Sequence, residues 1–357
     1  MSGVGKTMRA AVWTGPDSIE VQQLPVPEVP AGWALVKTEY TGLCGTDFSI
    51  LHGTHPRAKA PLVMGHEITG TVEVAAEGGP AVGTRVTAEP LIHCGSCRPC
   101  SHGDTHVCQN LKLYGIDRPG SLAEYVALPA DVLVPIGAGV PAAEAALAEP
   151  LAVAVHAVDR SGLTGGEHVT VFGAGPIGLL TALVARHAGA AEVLISEPSE
   201  ARRELAESLG FATVPAGQDP AGAVEAATGG SGSDIVFDSA GHPAVAAAVT
   251  KAVRVRGTIV VVGVYKKPAE VDLQAINFAE NTVIGTRVYT REAVERAVEL
   301  IESDALGLGR LPVEVFPLED TTDAFTKAMS ASATLKVLVS PLAVATGNPT
   351  ALMEAAR

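Results

Sequence analysis

Residues 168–178 read His168-Val-Thr-Val-Phe172-Gly173-Ala-Gly175-Pro176-Ile177-Gly178, and an apolar run from Leu179 to His187 follows. The Val/Thr/Phe segment predicts a strand, the glycines a turn, and the Ala/Leu-rich run a helix. In that setting G-x-G-x-x-G is the spacing of a dinucleotide-binding turn. Gly173 permits the tight turn, Gly175 lets the backbone approach a pyrophosphate, and Gly178 lets the helix pack closely on the strand. Pro176 and Ile177 open that helix, whose free N–H groups favour phosphate. Nineteen residues beyond Gly178, after the run Glu192 to Ser196, stands Glu197. A carboxylate there accepts hydrogen bonds from a ribose diol and repels a 2′-phosphate, so NAD is expected over NADP. Two other readings stay open: Glu197 caps the helix beginning near Ser199, or Arg202 or Arg203 holds a phosphate.

Outward from this unit the chain continues to alternate. A helix is expected over 200–209, a strand over 234–238, a helix over 243–253 and a buried strand from Thr258. Strand, helix, strand implies parallel pairing through right-handed crossovers. After Thr290 come amphipathic helices over 291–303 and 318–329 and a strand over 335–339. The first part, to about Leu147, is rich in Val, Thr, Gly and Pro and carries short β-like runs at 34–39 and 70–74. The expectation is an α/β protein. A mainly β first part precedes a doubly wound parallel-sheet part that begins near Glu149.

A length of 357 residues suits two domains, and 47% hydrophobic residues exclude disorder. Against 39 Asp and Glu stand only 25 Lys and Arg, a net charge of -14, which disfavours nucleic acid and anionic membranes as partners. Small molecules are the expected targets. The start MSGVGKTMRA lacks the apolar core of a secretory leader, so a cytoplasmic protein is expected. The uncharged stretch His168 to Ala185 holds three glycines and a proline, which argues against a membrane span. Gly5-Lys6-Thr7 looks like the end of a phosphate loop, but neither the earlier glycine nor a preceding strand is present.

Four of the five cysteines fall within fifteen residues, Cys94-x2-Cys97-x2-Cys100-x7-Cys108. In a reducing compartment this spacing points to a tetrahedral zinc with all four positions filled, hence a structural one. His93, His102 and His106 lie close by and receive no ligand role. The fifth, Cys44, sits in Gly42-Leu-Cys44-Gly-Thr46-Asp47, and twenty-two residues later comes Gly65-His66-Glu67.

These landmarks, together with Gly115-Ile-Asp-Arg-Pro-Gly120 and Glu149-Pro-Leu, occur in a familiar order. From Met8 to Pro341 the chain resembles a zinc-dependent medium-chain dehydrogenase/reductase of the alcohol dehydrogenase superfamily, in the branch containing sorbitol, threonine and butanediol dehydrogenases. The resemblance implies a mainly β GroES-like catalytic domain over 1–155 and 294–357 around a Rossmann NAD-binding domain over 156–293, with NAD, two zinc ions per chain and a homotetramer or homodimer. It further implies a catalytic zinc held by Cys44, His66 and Glu149, with Glu67 as an alternate ligand. Three ligands leave a fourth position open for substrate. The implied reaction passes a hydride between a secondary alcohol and NAD, giving the ketone, with the alcohol proton leaving through Thr46. Polyols, sugars, cyclitols and hydroxy-amino acids all fit.

On the cofactor side the resemblance places Arg202 at the adenosine ribose and the backbone of Val262 to Val264 at the nicotinamide. Phe48, Tyr114 and Arg287 are candidates for the substrate pocket. One departure stands out. The family's proton relay commonly ends at a histidine five residues after the zinc cysteine, and here that residue is Ser49, with His52 and His55 as candidate substitutes. A zinc-independent quinone or enone reductase and a noncatalytic cofactor-binding relative are the two alternatives to this reading. Both are disfavoured by the joint presence of Cys44, His66 and Glu149.

Overall fold

The computed structural model describes residues 5–215, 218–330 and 333–342. Residues 1–4 of the start read for a leader, and 343–357 of the second catalytic stretch, lie outside the described residues. The fold-deciding stretch forms the strand His168–Phe172 and the helix Pro176–His187. Around it runs a six-stranded parallel sheet in the order Ala212–Val214, Glu192–Ser196, His168–Phe172, Ser233–Asp238, Val253–Val261, Thr282–Gly285. Strand order reverses at His168–Phe172, so the glycine turn sits where doubly wound sheets bind their ligands. Its central strands bury Val169, Val171, Ile235, Val236, Ile259 and Val260, the β-branched filling that a sheet covered on both faces requires. Gly178 shows why a side chain is refused there: a Cβ would stand 1.9 Å from the carbonyl oxygen of Gly173.

Several elements go beyond the sequence reading. The strands Ala212–Val214 and Thr282–Gly285 are only three and four residues long. The helices Pro220–Ala227 and Leu273–Phe278 start at Asp219 and Asp272, whose side chains accept hydrogen bonds from N–H groups of the first turn.

The second sheet is built on Trp33–Gly42. In order it contains Leu133–Pro135, Arg85–Ala88, Glu67–Val74, Trp33–Gly42, Lys336–Ser340 and Val313–Pro317, and Tyr125–Pro129 also pairs with Trp33–Gly42. The closing strands therefore come from the far end of the sequence. A smaller sheet joins Ser18–Pro25, Thr7–Gly15 and Leu62–Val63. The expected boundaries at 155 and 293 fall inside two helices, Ala148–Ser161 and Arg291–Glu302, which pack on each other. Through Leu151, Val155, Val294 and Val298 they join an apolar core that reaches Val171 of the parallel sheet and Val337 of the second, while Val36, Ile68 and Val126 of the second sheet pack in a cluster of their own. Among the described residues no helix is long and apolar enough to cross a membrane.

Candidate functional site

Antiparallel pairing sets Gly42 opposite Glu67, so the end of one strand and the start of another meet. Cys44 leaves the first and caps the helix Gly45–Leu51; its N–H donates to Asp47 Oδ2 at 2.9 Å. His66 enters the second. As a result Cys44 Sγ, a ring nitrogen of His66 and a carboxylate oxygen of Glu67 lie within 4.8 Å of one another. Gly42 is what leaves room, because a Cβ there would fall 1.9 Å from Glu67 Oε2 and 2.9 Å from Lys336 Cε.

The donor set fits a divalent metal. Buried Asp47 Oδ1 faces buried His66 Nδ1 at 3.5 Å, and neither atom has a hydrogen-bond partner among the described residues. That arrangement reserves Nε2 for a ligand bond and provides the carboxylate that orients metal-binding histidines. Burial opposes charging of His66, yet Asp47 and Cys44 outweigh it and hold its pKa well above the ordinary value. Lys336 Nζ donates to Glu67 Oε1 at 2.5 Å from full burial. Burial and the neighbouring Glu67 push the Glu149 carboxyl up to about 7. Asp47, Glu67 and Glu149 thus gather three buried carboxyls beside the Cys44 thiol, opposite Lys336 and His66, and a metal cation would add positive charge there. Glu149, expected as third ligand, is not in the 4.8 Å set; its Oε1 accepts from Tyr289 O–H at 2.8 Å. Repulsion by Glu67 and the hydroxyl of Tyr289 hold it to that side.

The second group is the four-cysteine lobe, Cys94, Cys97, Cys100 and Cys108, with all four sulfurs within 4.8 Å. Cys97 Sγ lies 3.4 Å from Cys100 Sγ and 3.8 Å from Cys108 Sγ. Sulfurs about 2.3 Å from a tetrahedral zinc stand roughly 3.8 Å apart, so the spacing matches such a shell. Backbone N–H groups of Ser96 and Cys97 draw the Cys94 thiol down to about 5, while burial and Cys97 push Cys100 up to about 12. Four thiolates coexist only around a cation. Of the neighbouring histidines, His102 Nδ1 lies 2.8 Å from the Arg98 carbonyl, and His106 packs edge-on against His156 at 5.0 Å.

At the nucleotide turn Gly173 has φ +100°, and the nearest atom to a Cβ on Gly175 is Arg202 Nη1, 3.8 Å away. Glu197 is buried at the strand end. Its Oε2 accepts from Ala174 N–H at 2.7 Å and its Oε1 from Ser199 N–H at 2.8 Å, so it braces the glycine turn and caps the next helix. Arg203 donates to the carbonyls of Glu197 and Pro198, which leaves Arg202 as the guanidinium facing the turn. Val262 and Val264 follow the strand Val253–Val261, where Val262 N–H donates to Asp238 O at 2.9 Å and Val264 is 87% exposed. One cleft of about 210 Å³ brings the two halves together: Cys44, Phe48, Glu67 and Lys336 line one side, Pro176, Ile177 and Arg202 the other.

The remaining candidates separate. Tyr114 is buried edge-on against Trp33, ring centroids 6.2 Å apart, and is core packing; Arg287 is exposed. Thr46 Oγ1 lies 3.8 Å from Cys44 Sγ. Thr46, Ser49 and His52 follow one another at three-residue intervals, a ridge along the helix leading outward. His52 Nδ1 is 2.6 Å from Asp17 Oδ1. His55 Nδ1 instead accepts the N–H groups of Arg57 and Ala58 at 3.3 and 3.2 Å, and burial with Arg57 lowers its pKa. A ring nitrogen so occupied does not take up a proton. Sequence reasoning missed Asp47, Tyr289 and Lys336. Asp47 was open to discovery, since an acid three residues after a helix-capping cysteine signals a buried anchor.

Comparison with known proteins agrees with this geometry. Residues 30–138 match the alcohol dehydrogenase GroES-like domain, and residues 176–303 match the zinc-binding dehydrogenase domain. The chain is 39% identical over 336 residues to 2-dehydro-3-deoxy-L-galactonate 5-dehydrogenase of Pseudoalteromonas atlantica, covering 93% of this chain and 98% of that one. A candidate zinc-binding dehydrogenase from Sinorhizobium meliloti 1021 bound to NADP superposes with a TM-score of 0.88 at 34% identity, over 94% of this chain and all of that one. An alcohol dehydrogenase from Escherichia coli CFT073 complexed with NADH gives 0.87 at 27% identity, with coverage of 94% and 100%.

Proposed function

The chain belongs to the zinc-type medium-chain alcohol dehydrogenase family, in its sorbitol/threonine-like branch, and from that premise we propose that it oxidises a secondary alcohol of a polyol, sugar or hydroxy-acid type with NAD. The observation that carries this is the single cleft joining the Cys44/His66/Glu67 group to the glycine turn. Cys44 and His66, with Glu67 or Glu149 completing the set, would hold zinc, which would supply Lewis-acid polarisation of the alcohol oxygen. Asp47 fixes His66 in the ligating tautomer. Lys336 balances the charge of Glu67 and so keeps a carboxylate available without a second uncompensated anion. Thr46 accepts the alcohol proton, and His52, its Nδ1–H held by Asp17, receives it at Nε2 by way of Ser49. Neither a zinc-independent reductase nor a noncatalytic relative accounts for two such donor groups. A panel of polyols, sugar acids, cyclitols and threonine, assayed by absorbance for NADH formation, tests the proposal. Absence of turnover across the panel by zinc-replete protein would sink it.

The preference for NAD rests on Glu197. In Glu197→Ala, NAD binding is expected to weaken by about 1–3 kcal/mol, the value of charged hydrogen bonds to a ribose, and the gap to NADP to narrow. Because Glu197 also braces Ala174 and Ser199, the readout is the ratio of the two affinities: an equal loss for both cofactors would leave Glu197 with a bracing role alone. For the proton route, His52→Ala is expected to lower turnover roughly tenfold, within the usual worth of a general base, with recovery by added imidazole or by Ser49→His. His55→Ala should leave the rate unchanged. Unaltered turnover in His52→Ala would show that protons leave through water.

Assembly and location follow the same proposal. Leu273, Phe278 and Val283, 73%, 78% and 49% exposed, cluster about the edge strand Thr282–Gly285, a face suited to a second copy of the chain. Sedimentation as a single protomer would remove that reading. All five cysteines are free, which suits a reducing cytoplasm.

A further inference from the structure

A second cavity, of about 760 Å³, opens on the mainly β domain and shares no lining residue with the cofactor cleft. Its floor is apolar, formed by Val12, Leu24, Leu62 and Ile116. Its rim carries Arg57 and Lys59 from one loop and Lys112 and Arg118 from the segment after the cysteine lobe, against a single carboxylate, Asp117. One oxygen of that carboxylate is engaged: Oδ2 accepts from Leu113 N–H at 2.9 Å and pairs with Arg57 Nη2 at 3.1 Å. Arg57 is further anchored by donating through Nη1 to the Leu111 carbonyl at 3.1 Å. Among the described residues Lys59, Lys112 and Arg118 form no ion pair or side-chain hydrogen bond.

What sets Lys59, Lys112 and Arg118 apart is their convergence with Arg57 on one apolar hollow in a chain whose net charge is -14. A concave site with an apolar floor and converging like charges concentrates the field of its rim on whatever enters. We propose that this groove binds a small organic polyanion, a molecule carrying at least two phosphate or carboxylate charges. Arg57, pre-set by its two anchors, presents its guanidinium edge to one anionic group, and Lys59, Lys112 and Arg118 take the others. Both walls run into the metal-bearing backbone. Leu62–Val63 continues through Met64 and Gly65 to His66, and Gly120 and Leu122 donate N–H to the carbonyls of Val63 and Met64 at 2.8 and 3.0 Å. An occupant therefore bears on the segment that carries His66.

The test is calorimetric titration of the zinc-replete, NADH-saturated protein with inorganic pyrophosphate and, separately, citrate; NADH keeps either probe out of the dinucleotide cleft. One site per chain is expected, with affinity falling as salt rises. The exposed pair Lys59→Glu/Arg118→Glu should weaken binding by about tenfold or more, whereas the equal charge change Lys6→Glu/Lys251→Glu should alter it by about twofold at most. Should the reversed pair fail to fold, Lys59→Gln/Arg118→Gln is expected to weaken binding in the same direction. Pyrophosphate alone binding marks a phosphate ligand, citrate alone a carboxylate, and both a general polyanion site. Binding of neither, or equal losses in groove and control variants, overturns the proposal.

Discussion

Cys44→Ser is expected to lower turnover by about a thousandfold or more, roughly 4 kcal/mol of transition-state stabilisation, while the affinity for NADH stays near the wild-type value. The separation of the two effects follows from position. Cys44 belongs to the donor group on one side of the cleft, and the glycine turn, Glu197 and Arg202 lie on the other. Serine keeps the helix start, since the Cys44 N–H to Asp47 bond is made by the backbone, but it removes the thiolate. Metal analysis should show one zinc lost per chain and the other retained. Near-normal turnover in this variant would displace Cys44 from the catalytic role.

Cys97→Ser is expected to act on stability. A four-sulfur zinc contributes on the order of 10 kcal/mol to the folding of its surroundings, comparable with the whole stability of an ordinary domain. The lobe has the two-stranded pair Leu91–Ile92 and Lys112–Leu113 as its only sheet among the described residues, and it meets the main core through Leu91, Cys108 and Leu111 at its base. The expected result is a fall in thermal midpoint and in yield of folded protein, with turnover per folded, zinc-loaded molecule close to normal. Zinc analysis of the wild type should give two ions per chain. A single ion, or a Cys97→Ser protein as stable as wild type, would remove the zinc from the lobe.

The four-cysteine lobe and the nucleotide turn are legible because each is a local pattern, whereas the Cys44/His66 group, whose members stand twenty-two residues apart, is reached only through the family resemblance. Four cysteines in one short segment, or glycines between a strand and a helix, declare their chemistry without knowledge of distant contacts. Lys336 had no such signal. Its partner Glu67 lies 269 residues away, and the sequence around it reads only as a buried strand. Glu149 illustrates the reverse limit: its place in the motif order was clear, yet its hydroxyl donor Tyr289 depends on how the two boundary helices pack. Short elements were lost for a simpler reason. Ala212–Val214 and Thr282–Gly285 are too brief for periodicity, although Asp219-Pro220 already advertised the start of a helix.

The strand that brings Lys336 to Glu67 also sets an order of biosynthesis. Trp33–Gly42 and its neighbours Glu67–Val74 and Tyr125–Pro129 emerge early, but the Thr41–Gly42 end of the edge that Tyr125–Pro129 occupies meets Lys336–Ser340 only after the whole parallel-sheet unit has been made. Until then the Glu67 carboxylate has no ammonium beside it and a sheet edge stays open, the condition in which nascent chains recruit wrong partners. The inserted unit has its own complete sheet and can fold first, shortening the effective distance between the two ends. A ribosome-bound fragment ending before residue 336 would thus hold Cys44, His66 and Glu67 without the ammonium that balances the Glu67 carboxylate.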